Sequence, residues 1–153
     1  MASWGEFDRD YGELADVVRR CFAIRKHATV ATLRRDGSPR ISGIEVEFTD
    51  GAIVLAMMPG SRKALDLRRD PRFALHSPTH DAPQDDSSSW LGEAKLARRA
   101  DDVDVADTDS LTEPRRFQLD LLEVTHTNIG RPPDHLVITS WTPTRGVQHR
   151  ERR

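Results

Sequence analysis

The segment over residues 52–75, AIVLAMMPGSRKALDLRRDPRFAL, constrains the fold most strongly because its hydrophobic pattern changes twice. It opens with a continuous apolar run, which predicts a buried strand. A Pro-Gly pair ends that run, and Ser61 is a suitable N-cap for a short helix that Asp70-Pro71 closes. The next residues, FAL, start a further strand. The pattern therefore predicts a strand, a short helix and a strand in immediate succession.

The start of this predicted helix is a candidate anion site. Unpaired N–H groups and the positive end of the helix dipole lie there, and the chain adds Ser61, Arg62 and Lys63. Together these groups are predicted to bind a phosphate. The competing interpretation is a solvated first turn, although the dipole disfavours cations at this end of a helix. An uncompensated Arg-Lys pair at this position therefore indicates an anionic partner.

Composition excludes several classes of function. A chain of 153 residues that is 37% hydrophobic suits one domain, and we assign residues 1–153 to it. A formal net charge of −2 provides no basic field for nucleic acid, and no apolar run approaches the ~20 residues that cross a bilayer. The single cysteine, Cys21, excludes an intrachain disulfide, and the N-terminus lacks the regions of a signal peptide. We therefore expect a cytoplasmic protein that binds neither nucleic acid nor membranes.

Strand patterns dominate after the N-terminus. Residues 1–26 read as an amphipathic helical segment that a capping box at Ser3 and Glu6 opens. Alternating residues then form a hairpin around an Asp-Gly turn at Asp36, and a second turn at Asp50 leads into the apolar run. Small sheets of this kind close into barrels, since closure removes exposed edges. We predict a mostly β fold with short helices: an antiparallel barrel of six or seven strands with an N-terminal helix.

Polar segments divide the second half of the chain. Residues 77–89 and 100–113 are predicted to be surface loops, because they contain few apolar residues. Predicted strands cover residues 90–98, 117–125 and 136–141, and a basic tail follows. This arrangement supplies the remaining strands of the barrel.

Several familiar chemistries are missing from the sequence. The lone cysteine has no spaced partners for a structural zinc site, and the six histidines lie at predicted strand ends and in loops, where solvated or structural roles are the default. No Gly-rich dinucleotide motif, P-loop or Gly-x-Ser-x-Gly elbow occurs. We therefore predict no metal site and no catalytic side chain.

The order of elements over residues 28–76 resembles the split β-barrel flavoproteins of the pyridoxamine 5′-phosphate oxidase superfamily, which includes flavin and deazaflavin oxidoreductases. The strongest match is SRK at residues 61–63 followed by RDP at residues 69–71, which is similar to the phosphate-binding turn of that family. A second match is DGSPR at residues 36–40, which leads into the second strand.

The resemblance implies a cofactor bound at the interface of a homodimer. In such proteins the basic side chains after the third strand hold the cofactor phosphate, and the start of the second strand and the end of the third lie beside the ring. A late aromatic residue often covers the cofactor from the partner subunit. The implied cofactor-binding residues are Arg40, Ile41, Ser42, Met57, Met58, Ser61, Arg62, Lys63 and Trp141. For the two methionines, simple core filling is the alternative.

Departures from the family pattern bear on the substrate. Glu45 stands where true pyridoxamine phosphate oxidases carry a basic residue, so oxidation of vitamin B6 is not expected. The resemblance implies FMN as cofactor, with the deazaflavin coenzyme F-420 and haem as alternatives. A flavin or deazaflavin carries the hydride chemistry itself, so the protein needs only to bind, orient and shield it. The implied function is an FMN- or deazaflavin-dependent oxidoreductase that acts on a small substrate.

The sequence is also compatible with three other functions. The protein could carry FMN, deazaflavin or haem without turnover. It could degrade haem, for which a histidine such as His76 would serve as iron ligand. It could also be a structural barrel whose SRK turn is ordinary solvated surface.

Overall fold

The computed structural model describes residues 2–103 and 113–153. Among these residues the helices are α1 (Trp4–Asp10), α2 (Gly12–Ala23) and α3 (Arg62–Arg69). The strands are β1 (His27–Leu33), β2 (Pro39–Thr49), β3 (Ala52–Met57), β4 (Arg72–His76), β5 (Glu93–Asp102), β6 (Arg115–Ile129), β7 (Leu136–Thr142) and β8 (Gly146–Arg152). The helix α3 separates β3 from β4, as the sequence predicts.

Six strands close into an antiparallel barrel. Their order is β3-β2-β1-β4-β5-β6, and β6 pairs back with β3 to complete the ring. The prediction of a mostly β barrel with short helices is confirmed. Two further strands, β7 and β8, extend the sheet from β6. The predicted basic tail therefore forms strand β8, which the sequence pattern missed because residues 149–152 at its end are exposed and three of those four are charged.

The N-terminal segment forms two helices rather than one. The backbone leaves the helical region at Tyr11, with φ −137° and ψ 45°, and this residue separates α1 from α2. The predicted capping box is present: the Ser3 hydroxyl accepts from the Glu6 amide at 3.2 Å, and the Glu6 carboxylate accepts from the Ser3 amide at 2.8 Å. Both helices place apolar side chains in the core.

Aromatic residues join the N-terminal helices to the β7–β8 extension. Trp141 on β7 is 4% exposed, and its ring lies 4.8 Å from Phe7 and 5.7 Å from Tyr11 between centroids. Edge-to-face and tilted contacts of this kind stabilise aromatic clusters beyond the area they bury. Trp141 is therefore part of the hydrophobic core.

The second half of the barrel departs from the predicted boundaries. Strand β5 continues to Asp102, so the predicted loop over residues 100–113 begins too early, and residues 104–112 of it lie outside the described residues. The strand predicted over residues 90–98 begins only at Glu93, because Gly92 has a positive φ of 89°. Residues 77–89 contain one short 3-10 turn. Within residues 2–103 and 113–153 no helix is long and apolar enough to cross a membrane.

Candidate functional site

Helix α3 begins at the predicted N-cap. Ser61 has an extended backbone, and its carbonyl accepts from the Leu65 amide at 3.2 Å, but its hydroxyl caps none of the helix amides. The first-turn N–H groups of a helix lack partners within the helix. The hydroxyl of Ser61 and these amides are therefore donors that a ligand can use.

Lys63 adds a cation beside this helix end. Its Nζ donates to the carbonyl oxygen of Gly43 on β2 at 2.7 Å, and partial burial lowers the pKa of its ammonium group. No carboxylate among the described residues pairs with Lys63, and the exposed Arg62 also lacks a polar partner there. Two cations thus meet the positive end of a helix dipole without an internal anion, as an anion-binding corner requires.

A cavity of about 610 Å³, here called the Lys63 groove, opens at this corner. Its wall includes Met57 and Met58, of which Met57 is buried in the core and Met58 is 80% exposed. Glu45 lies on the wall and binds Lys26 at 3.2 Å. The groove therefore has a cationic corner at Lys63, an apolar wall and one acidic residue.

Behind the corner lies a polar cluster that ties α3 to the barrel. Asp66 on α3 is 3% exposed, and its Oδ2 accepts from Thr32 of β1 at 2.9 Å and from Arg40 Nε of β2 at 2.6 Å. Its Oδ1 accepts from Arg69 at 3.1 Å. Burial alone would raise the pKa of this carboxyl, but the hydrogen bonds from Arg40, Thr32 and Arg69 lower it on balance. Asp66 is therefore a carboxylate on the buried side of helix α3.

A second cavity, of about 530 Å³ and here called the alanine groove, lies on the outer face of the barrel. Its floor is a row of alanines that the strand register places side by side: Ala31 of β1 pairs with Ala74 of β4, which pairs with Ala97 of β5. Ile41, 75% exposed, pairs with Ala31 and forms one side. The result is a broad apolar floor with a large side chain at its edge.

Charged side chains form the rim of the alanine groove. His76 Nε2 lies 3.3 Å from Oε2 of the Glu93 carboxylate. Oε1 of the same carboxylate lies 2.8 Å from Lys95 Nζ. The other ring nitrogen of His76, Nδ1, is 2.7 Å from the carbonyl oxygen of Ser77. Burial raises the pKa of Glu93, but the hydrogen bonds and charges of Lys95 and His76 lower it on balance. Both ring nitrogens of His76 therefore face acceptors.

The two grooves adjoin across the first two strands. Thr29, which lines the alanine groove, pairs in the sheet with Gly43, which lines the Lys63 groove. Neighbouring strands lie about 4.8 Å apart, so the two cavities border each other on the barrel surface.

A family model for pyridoxamine 5′-phosphate oxidase matches residues 14–129 of the chain. The chain belongs to the pyridoxamine 5′-phosphate oxidase family. The matched region contains both grooves and helix α3. No curated protein matches the sequence.

Solved structures share the fold of this pyridoxamine 5′-phosphate oxidase family member. A pyridoxamine 5′-phosphate oxidase-related FMN-binding protein from Nostoc punctiforme superimposes with a TM-score of 0.64 at 10% identity, covering 94% of this chain and 96% of that one. PhzG from Burkholderia lata, in complex with tetrahydrophenazine-1-carboxylic acid, gives 0.59 at 11% identity, with 94% and 88% covered. A heme-binding protein from Mycobacterium smegmatis gives 0.55 at 16% identity, with 91% and 87% covered.

Within this family fold, the structure separates the predicted site residues into groups. The residues at the Lys63 groove are Met57, Met58, Ser61 and Lys63, and Ile41 borders the adjoining alanine groove. Arg62 is exposed on the first turn of α3, and Arg40 binds Asp66 behind it. Ser42 is half-buried on β2, and Trp141 lies in the core, away from both grooves.

Some residues of the site were missed by sequence reasoning. The sequence gives only a partial indication of Thr32 and Asp66. An aspartate flanked by two leucines in a short helix indicates a polar contact on a buried side. The alanine row carries none, because its members come from three strands that only the register brings together. The described residues contain no group of three or more His, Cys, Asp or Glu side chains that could hold a metal ion.

Proposed function

We propose that this protein is a flavin- or deazaflavin-dependent oxidoreductase that holds FMN, or alternatively coenzyme F-420, by its phosphate at Ser61, Arg62 and Lys63. The observation that carries the proposal is Lys63, whose ammonium group lies beside the start of α3 with a backbone carbonyl as its partner. The donor set there fits a phosphate: an ammonium, a guanidinium, an unused hydroxyl and helix amides. The FMN-binding relative of the same fold supports this reading.

We place the ring of the cofactor in the adjoining alanine groove. From Gly43, which contacts Lys63, two strand spacings lead through Thr29 to His76, a distance of about 10 Å. A sugar-alcohol chain bearing a terminal phosphate bridges such a distance, so a ring at the alanine groove remains compatible with a phosphate at Lys63. The bound cofactor supplies hydride transfer, while the apolar floor, Ile41 and Met58 shield and orient it.

Glu45 argues against a phosphorylated substrate. Its carboxylate lies on the wall of the Lys63 groove and is held by Lys26 at 3.2 Å and His27 at 3.5 Å. A second phosphate brought to this wall would meet a negative charge, which disfavours its binding. We therefore propose a small substrate without a phosphate and do not assign pyridoxamine 5′-phosphate oxidation.

A homodimer completes the proposed site. Ile41 and Met58 are large apolar side chains, 75% and 80% exposed, and they border the two grooves. Exposed apolar groups gathered at a cavity are typical of surfaces that a partner covers. A second copy of the chain over this face would exclude water from the cofactor ring.

Haem binding is less well supported by the site. His76 is the histidine on the rim of the alanine groove, but both of its ring nitrogens already face acceptors, Glu93 and the Ser77 carbonyl. An iron ligand needs one nitrogen with a free lone pair. Ligation by His76 would therefore require loss of one of these contacts.

Titration of the purified protein with FMN, coenzyme F-420 and hemin tests the proposal. We expect FMN or F-420 to bind and the double variant Arg62→Ala/Lys63→Ala to lose about 2 to 4 kcal/mol of binding free energy, the scale of two charge-assisted contacts. Arg35→Ala, an exposed arginine on the β1–β2 turn, is the matched control and should bind as the wild type does. Equal affinity of the double variant and the wild type would refute the phosphate corner.

A further inference from the structure

The structure assigns Asp66 as a positioning residue: through its bond to Arg40 it orients a third cation toward the phosphate corner at Lys63. This inference rests on the proposed function, since it concerns the same anion. It adds a buried acidic residue to a site that is otherwise described by its cations.

Asp66 holds Arg40 through one nitrogen of its guanidinium. Asp66 Oδ2 accepts from Arg40 Nε at 2.6 Å, and no described residue hydrogen-bonds the two terminal nitrogens of the guanidinium. A guanidinium carries five N–H donors in a fixed fork. One bond at Nε therefore restrains the group and leaves the paired terminal donors, the set that binds a phosphate in bidentate fashion.

Helix α3 carries both Asp66 and Lys63. Lys63 and Asp66 are three residues apart on α3, and residues at this spacing lie on one face with Cβ atoms about 5–6 Å apart. Both reach the same strand, β2: Lys63 bonds the carbonyl of Gly43, and Asp66 bonds Arg40. Arg40 and Lys63 thus both contact the seam between α3 and β2.

The cluster of Asp66, Arg40 and Arg69 keeps a net positive charge. Asp66 meets two guanidinium groups, Arg40 at 2.6 Å and Arg69 at 3.1 Å, so one positive charge remains after the carboxylate is neutralised. Arg69 also donates to the Leu33 carbonyl at 2.5 Å, which secures the far end of α3 to β1. The carboxylate therefore holds Arg40 in place without cancelling the attraction of the corner for an anion.

Thr32 provides an internal control for this assignment. Its hydroxyl donates to the same Asp66 oxygen at 2.9 Å, but it comes from β1 and carries no charge. Thr32→Val removes a bond from the cluster and leaves Arg40 and Asp66 paired. A purely structural role for the cluster predicts the same effect on ligand binding from Thr32→Val as from Asp66→Asn.

The test compares FMN with riboflavin, which has the same ring and lacks the phosphate. Dissociation constants for both are measured by flavin fluorescence on the full chain for the wild type, Asp66→Asn, Arg40→Lys and Thr32→Val, with near-ultraviolet circular dichroism to check folding. We expect the wild type to prefer FMN. Asp66→Asn and Arg40→Lys should each reduce that preference at least tenfold, and the double variant should reduce it little further, whereas Thr32→Val should keep it within twofold.

The measurements distinguish failure of the phosphate corner from failure of the role of Asp66. A wild type that binds FMN and riboflavin equally refutes the phosphate corner and the role of Asp66 together. A wild-type preference that survives in Asp66→Asn, or that Thr32→Val reduces equally, overturns the role of Asp66 alone. If Asp66→Asn does not fold, Arg40→Lys decides: its single ammonium can satisfy Asp66 but lacks the fork, so an undiminished FMN preference overturns the inference.

Discussion

Replacement of Trp141 distinguishes a core residue from a residue that covers the cofactor. The ring is 4% exposed and contacts Phe7 at 4.8 Å and Tyr11 at 5.7 Å between centroids. Truncating a buried tryptophan to alanine costs about 3–5 kcal/mol. Each of its two aromatic contacts contributes about 0.5–1.5 kcal/mol more. We therefore expect Trp141→Ala to lower the free energy of unfolding by about 4 kcal/mol or more. The same change at Trp90, which is half-buried beside the 77–89 segment, should cost about 1 kcal/mol.

The conservative change at Trp141 sharpens the expectation. Its Nε1 is buried and has no hydrogen-bond partner among residues 2–103 and 113–153. Leaving a buried donor unpaired costs about 1–3 kcal/mol, and Trp141→Phe removes that donor. This gain offsets part of the packing that the smaller ring loses, so the free energy of unfolding should stay within about 1 kcal/mol of the wild type.

Urea denaturation followed by circular dichroism measures these free energies of unfolding, and a parallel titration measures FMN affinity of the folded variants. We expect Trp141→Phe to bind FMN within twofold of the wild type. A tenfold weaker affinity without loss of stability would refute the placement of Trp141 in the core and restore it to the cofactor site.

Further changes test other parts of the structure. Gly92→Ala should cost about 3 kcal/mol or more in urea denaturation, because a Cβ would lie 2.2 Å from the Thr127 carbonyl oxygen at a φ of 89°; a stable variant would contradict this packing. Burial raises the pKa of Cys21 to about 11, so the native protein should leave a thiol reagent unreacted at pH 8 and consume it once unfolded. Because the pKa of Asp66 is lower in the folded than in the unfolded protein, its carboxylate stabilises the fold above the unfolded pKa of about 4. This stability is lost as the pH falls through the folded pKa, so acid titration of Asp66→Asn should show a shallower loss of stability. Shortening the exposed 81–86 segment should change stability by less than about 1 kcal/mol, and a larger loss would reveal packing there.

Local signals account for the parts of the fold that the sequence predicts. The joint between β3 and α3 depends on a Pro-Gly break and the Ser61 N-cap, which act within a few residues, and the structure places both as expected. Closure of the barrel follows from the number of short alternating strands. Strand β8 escaped the prediction because its exposed charged residues conceal the alternation that marks a half-buried strand.

The candidate site was predictable only where its residues are neighbours in sequence. Ser61 and Lys63 lie together at one helix start, so composition and the dipole identify them. The contact between Asp66 and Arg40 joins positions 26 residues apart and depends on how α3 lies across β2. Trp141 is a late aromatic residue of the kind that can cover a ligand, and only its position beneath the N-terminal helices assigns it to the core. Long-range packing, which a single sequence does not specify, decides each of these cases.

Strand β6 has a consequence for how the molecule opens. It pairs with β3 through Arg115–Gln118, with β5 along most of its length and with β7 through Val124–Ile129. The melting of any one of these strands therefore leaves β6 paired with the other two, which protects its amide protons against local opening. In deuterium exchange they should be among the last to be replaced, at the rate of global unfolding, while the free side of β8 exchanges early.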